Sequence, residues 1–137
     1  MMTIEERAIY ECCEDIVFVP FDSNKLLADY YAFYNKNYFN DALPHLSEQF
    51  ICMFQPLPND KEGISIDSER AGKLSTSETT VRAGIRINSK LECFKKLARQ
   101  VLLHEMIHVM GIKAHNDAFT AAIHRLVKAG AFNDLIE

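Results

Sequence analysis

The run His104-Glu105-Met106-Ile107-His108 constrains this chain more than any other segment. On a helix, two histidines four residues apart lie on one face, one turn above each other. Their imidazoles can converge on one zinc ion, and Glu105 between them points toward the same open side. His115 follows seven residues after His108, past Gly111, where a turn can fold it back to complete a three-ligand site. Three protein ligands leave a fourth position for water, the pattern of a catalytic zinc site rather than a closed structural one. The surroundings sharpen this reading. Val101, Leu102, Leu103, Met106, Ile107, Val109 and Met110 put apolar side chains on nearly every side of the helix. A helix apolar all round is buried, and ionisable groups inside are costly unless paired or metal-bound. One ion serving all three polar residues is more economical than three private partners.

The remaining histidines are weak ligand candidates. His45 follows Pro44 in a loop, and His124 lies nine residues beyond His115 on a separate helical stretch. The four cysteines, Cys12, Cys13, Cys52 and Cys93, have no C-x-x-C spacing, which argues against a cysteine-based zinc knuckle. Reduced thiols in a cytoplasmic protein are the simplest account, with Cys52 and Cys93 expected in the core. Residues 1–15 are acidic and lack the basic start and apolar stretch of a secretory signal. No apolar run approaches the length that spans a bilayer, so no membrane partner is expected.

At 137 residues the chain is long enough for one domain with a real core and too short for two. A single domain over residues 1–137, with its core at about 23–130, is expected. Ser23 or Asn24 can cap a helix carrying Leu26, Leu27, Tyr30, Tyr31, Phe33, Tyr34, Tyr38 and Phe39 at helical spacing, ended by Asn40-Asp41 and Pro44. That aromatic stripe reads as core. Before it, Ile16-Val17-Phe18-Val19 is a short apolar run stopped by Pro20.

Extended segments are expected at Phe50–Gln55, from near Ile64, at Ala71–Thr76, and at Val81–Asn88. In the last, Val81, Ala83, Ile85 and Ile87 alternate with Arg82 and Arg86. Three antiparallel strands are the natural assembly. Ser89-x-x-Glu92 has the form of a capping box for a helix from about Lys90 to Met110, with Gly111 just past its end. A last helix covers roughly Asn116 to Ala129, capped by Asn116 or Asp117 and stopped by Gly130. Its apolar positions Phe119, Ala122, Ile123, Leu126 and Val127 would pack on the core. The fold class is therefore α+β: an N-terminal helix, a small three-stranded antiparallel sheet, a helix bearing the H-E-x-x-H run, and a C-terminal helix.

The net charge of −4 is unevenly spread, because residues 71–137 hold 10 Lys/Arg against 6 Asp/Glu. This sets a modest positive field around the half that carries the histidines. Lys95, Lys96 and Arg99 read first as the solvated side of the helix; the sharper reading is a surface for DNA or another polyanion.

In its ordered set of features the chain resembles the SprT-like (Spartan-type) zinc metallopeptidase domain. Tyr34-Asn35-x-x-Tyr38-Phe39-Asn40-Asp41-x-Leu43-Pro44 is similar to that family's N-terminal helix and leucine-proline turn. Ala71-Gly72-Lys73 and Ile85-Arg86-Ile87-Asn88 resemble its small sheet. His104-Glu105-Met106-Ile107-His108 matches its active-site segment, and Ala114-His115-Asn116-Asp117-Ala118-Phe119 its third-ligand segment. The likeness covers about residues 25–128. Six residues separate His108 from His115, and Ala114 stands where relatives often have glycine, so the loop over the site is tighter than theirs. Metzincins need H-E-x-x-H-x-x-G-x-x-H, and this chain has one residue more between Gly111 and His115.

The resemblance implies a zincin-like fold and one Zn²⁺ per chain, held by His104, His108 and His115. It also implies a protein or peptide substrate, drawn from proteins bound to DNA. Glu105 is then the general base of peptide hydrolysis. The alternative is a zinc-stabilised module that binds protein or nucleic acid and hydrolyses nothing; Glu105 beside an open coordination position argues against it.

Overall fold

Asn35, deep in the first helix, shows how this chain shapes its elements. The computed structural model describes residues 23–135, so the run at 16–19 and the pair Cys12-Cys13 lie outside the described residues. Helix α1 spans Ser23–Tyr38 and buries Leu27, Tyr31, Tyr34 and Asn35, one face at helical spacing. Asn35 accepts from the Leu43 amide and donates to the Leu43 carbonyl, both at 3.0 Å. Its own carbonyl receives the Asp41 amide at 2.8 Å, and the Tyr31 hydroxyl donates to the Pro44 carbonyl at 2.6 Å. Asn40 and Asp41 take left-handed φ values of 53° and 59°, which short polar side chains tolerate best. The turn that follows α1 is thus written in the sequence: Asn35 staples it, Asn40-Asp41 bends it, Leu43 is buried beneath it. Asn24, expected as a cap, instead accepts the Phe54 amide at 2.8 Å and ties α1 to the sheet.

Strands β1 (Phe50–Gln55), β2 (Gly63–Ile66) and β3 (Ala83–Asn88) form one sheet in the order β1-β3-β2. The sheet is mixed, correcting the antiparallel expectation: β1 runs parallel to β3, and β2 antiparallel to it. All six residues of β3 are buried, so it takes the centre and is covered on both faces. The alternation of Val81–Asn88 suggests instead a strand with one wet face. β2 and a helix lie between β1 and β3, enough chain for the crossover that a parallel pair requires. Gly84 makes the pairing feasible. Its φ is +140°, and a Cβ there would lie 1.8 Å from the Ile51 carbonyl oxygen.

Two further expectations are overturned. Ala71–Thr76 is not extended; helix α2 occupies Ser68–Leu74. The Asp67 carboxylate accepts the Arg70 amide at 2.7 Å, Glu69 lies in the first turn, and Lys73 in the last. Those end signals outweigh a segment in which only Ala71 is buried. The capping box at Ser89 does not open a long helix either. Ser89–Leu91 is a 3₁₀ turn capped by the Asn88 side chain, and Phe94 has non-helical backbone angles. Helix α3 therefore spans Lys95–Val109, and Gly111 follows it with φ +118°. Helix α4 spans Asp117–Ala129, with Asn116 as its cap and a left-handed Gly130 at its end, as expected.

The architecture is α+β, a single small domain. Helix α3 packs against β2 and β3 and fills the core with Leu102, Leu103, Met106 and Ile107, all fully buried. Leu126 of α4 and Leu27, Tyr31 and Tyr34 of α1 join the same cluster. Cys52 is buried as expected; Cys93 is only partly so. Among the described residues no helix is long and apolar enough to cross a membrane.

Candidate metal centre

Helix α3 supplies two of the three imidazoles and the loop before α4 supplies the third. The Nε2 atoms of His104, His108 and His115 form a near-equilateral triangle: 3.2 Å from His104 to His108, 3.0 Å from His104 to His115, and 3.1 Å from His108 to His115. The residues predicted as ligands are therefore brought together, and this group can hold a metal ion. His45 and His124 lie apart from it; His45 is exposed and pairs with Asp41 at 3.0 Å.

Each ring has an identifiable support. The His108 Nδ1–H donates to the Ile112 carbonyl at 2.7 Å, leaving its Nε2 lone pair for the centre. The tight loop from Gly111 makes this bond, because Ile112 follows the helix end directly. Burial, then His108 and His115, pull the His104 pKa down to about 4, so its ring is neutral near pH 7. Phe119 lies against all three imidazoles, its centroid 4.7 Å from His104, 5.1 Å from His108 and 4.8 Å from His115. Sequence reasoning placed Phe119 in the core and missed this contact. The signal was available, since an N-cap at Asn116 turns the first buried residue of α4 back toward the loop it leaves.

Glu105 is 6% exposed and makes no hydrogen bond among the described residues. Its Oε2 lies 3.9 Å from the His104 Nε2. Burial raises its pKa to about 7, an effect that the positive charge of Lys61 partly offsets. A carboxyl group held near neutrality can take and release a proton at working pH.

The centre opens into a cleft of about 1120 Å³ whose walls are β2 on one side and Val101, His104, Glu105 and His108 of α3 on the other. The close packing of these walls depends on Gly63: a Cβ there would lie 2.6 Å from the Val101 Cγ1 and 3.1 Å from the Glu105 Cγ. β2 is an edge strand among the described residues. The Asn88 amide donates to the Glu62 carbonyl, which sets the phase of the β2–β3 ladder. Ile64 and Ile66 then direct their backbone groups to β3, while Gly63 and Ser65 turn theirs to the open edge. Lys113 of the ligand loop, also in the cleft lining, pairs with Asp67 at 2.7 Å.

The basic side chains of the C-terminal half do not all face one way. Arg86 is buried, Arg99 lies 4.1 Å over the Tyr30 ring and donates to the Tyr34 hydroxyl, and Lys90 pairs with Asp60.

Compared with known proteins, the chain matches no family model, no curated protein and no solved structure.

Proposed function

We propose that this chain is a zinc-dependent metallopeptidase of zincin-like architecture, with His104, His108 and His115 holding the ion and Glu105 as general base. The observation that carries the reading is the triangle of three Nε2 atoms with a buried carboxylate beside it that makes no hydrogen bond among the described residues, in the wall of a cleft. Tetrahedral zinc with Zn–N bonds of about 2.0–2.1 Å sets its ligand nitrogens roughly 3.3 Å apart. The separations here fall within a few tenths of an ångström of that. The donor set is all nitrogen and three-fold, which suits zinc and leaves a position for solvent.

When bound, zinc supplies Lewis acidity and lowers the pKa of a coordinated water to about 7. Glu105 accepts the proton of the attacking water and delivers it to the departing amine. The Glu105 carboxylate makes no hydrogen bond among the described residues, so it is available to that water. The open backbone groups of Gly63 and Ser65 can hold an extended peptide as an added strand beside the centre. Gly63 brings that strand close to Glu105, so the scissile bond lies within reach. The resemblance to SprT-like domains extends the proposal to proteins associated with DNA as substrates.

The test is metal analysis of the purified chain beside His115→Ala, with cleavage of casein and of a DNA-binding protein measured with and without single-stranded DNA. One zinc per chain, its loss in His115→Ala, and cleavage stopped by a chelator are expected. Stoichiometric zinc without hydrolysis of any protein would replace this reading by that of a binding module.

A further inference from the structure

A peptidase of this kind needs a second positive group against the carbonyl oxygen that becomes negative when water adds. Among the described residues, Lys61, Arg70 and Lys113 are the cations that line the cleft; Arg70 stands on α2, past the end of β2, whereas Lys61 lies two residues before Gly63, the residue packed against Glu105. Lys61 shares the cleft lining with Glu105 and His104.

Its position follows from the strand it precedes. Gly63 faces α3, as its contacts with Val101 and Glu105 establish, and Lys61, two residues before it, lines the cleft together with Glu62. Asn88 anchors this segment, holding the Glu62 carbonyl by its amide at 2.8 Å and the Lys61 carbonyl by its side chain at 2.9 Å. Asn88 is itself 4% exposed. The turn before Lys61 is equally fixed: the Lys61 amide donates to the Pro58 carbonyl, Asn59 and Asp60 are left-handed, and Asp60 pairs with Lys90 at 2.9 Å. The backbone of Lys61 is thus anchored on both sides, while its ammonium has no ion-pair partner among the described residues. Lys113, another cation of the cleft lining, is taken by Asp67.

We propose that Lys61 is a catalytic residue that donates a hydrogen bond from its ammonium to the oxyanion of the tetrahedral intermediate. This rests on the metallopeptidase reading above. The water oxygen bonds to the carbonyl carbon, the π pair moves onto the carbonyl oxygen, and Glu105 holds the water's proton. On collapse that pair re-forms the C=O bond, the C–N bond breaks, and Glu105 protonates the leaving nitrogen. Lys61 keeps its proton throughout; its charge is matched to the oxygen only while that oxygen is negative. The edge strand that receives the peptide therefore also carries, two residues upstream, the group that stabilises its reaction.

The experiment compares zinc-loaded wild type, Lys61→Met and Lys61→Arg. It measures kcat and KM on an uncharged peptide and, by calorimetry, the affinity for a phosphinic peptide, whose tetrahedral anion imitates the intermediate. Expected for Lys61→Met is a fall in kcat of about 10²-fold with KM nearly unchanged. Phosphinic-peptide affinity should weaken by a similar factor, zinc content should stay at wild-type level, and Lys61→Arg should recover most of the loss. Unchanged kcat and unchanged phosphinic-peptide affinity in an active enzyme would overturn the role of Lys61 alone. So would a loss confined to KM on acidic peptides, which would make Lys61 a reader of substrate side chains. A wild type that neither cleaves peptide nor binds the phosphinic peptide would overturn the peptidase reading and this proposal together.

Discussion

Two polar side chains of this domain are buried to a similar degree and treated in opposite ways. Asn35, 1% exposed, has donor and acceptor both satisfied by the backbone of Leu43. Glu105, 6% exposed, has no hydrogen-bond partner among the described residues and shares its surroundings with three imidazoles. The first is a closed site whose function is geometric: it fixes the turn after α1. The second is open, and its desolvation keeps a carboxyl near neutrality instead of fully ionised. Polar groups that build the fold are satisfied within it, and the one proposed to do chemistry is left without a partner at a cost in stability. Arg86, also buried, lies between the extremes: Nη2 donates to the Arg82 carbonyl at 2.8 Å and Nη1 has no partner among the described residues.

The contrast breaks most decisively at Glu105. Glu105→Gln should lower kcat/KM by about 10²–10⁴-fold while zinc stays bound, and should raise the stability of the zinc-free protein. The sign follows from the raised pKa. A carboxyl whose folded pKa lies near 7 disfavours folding once pH exceeds its unfolded value, so the neutral amide gains on the order of 1 kcal/mol at pH 8. Activity assays and thermal melts in chelator check both halves, and a destabilised Gln variant would contradict the contrast. Asn35→Ala should do the reverse, costing about 2–4 kcal/mol in urea unfolding by stranding both backbone groups of Leu43, with zinc per folded chain unchanged. Gly63→Ala sharpens the boundary between the two kinds of site. Its methyl group would press on Val101 and Glu105, for an expected stability loss of about 1–2 kcal/mol and a drop in kcat/KM several times larger than a remote core variant of equal stability shows.

Much of this was legible along the chain because the signals are local. Helix α4 with its Asn116 cap and Gly130 stop, the end of α1 at Asn40-Asp41, and the convergence of His104 with His108 each depend on residues within a turn or two of one another. His115 closes on them across only six residues. The errors fell where the deciding contact is distant. The antiparallel expectation failed at the β1–β3 pair, which is parallel, and nothing within Phe50–Gln55 or Ala83–Asn88 announces that direction. The stretch at Ala71–Thr76 was misread because its helix is started by Asp67, outside the window. Ser89 and Glu92 carry the residues of a capping box, but Leu91 turns into the core and Phe94 interrupts the helix before Lys95.

The amino-acid order alone determined the three imidazoles, the carboxylate beside them and the helix that spaces them, because a helical repeat converts sequence intervals directly into directions in space. Only the tertiary structure decided that β2 is an edge strand among the described residues, that Gly63 lets this edge approach Glu105, that Phe119 lies against all three rings, and that Lys61 lines the same cleft. Those relations join residues far apart in the chain, and they are set by which surfaces pack together, a choice made by the whole core at once.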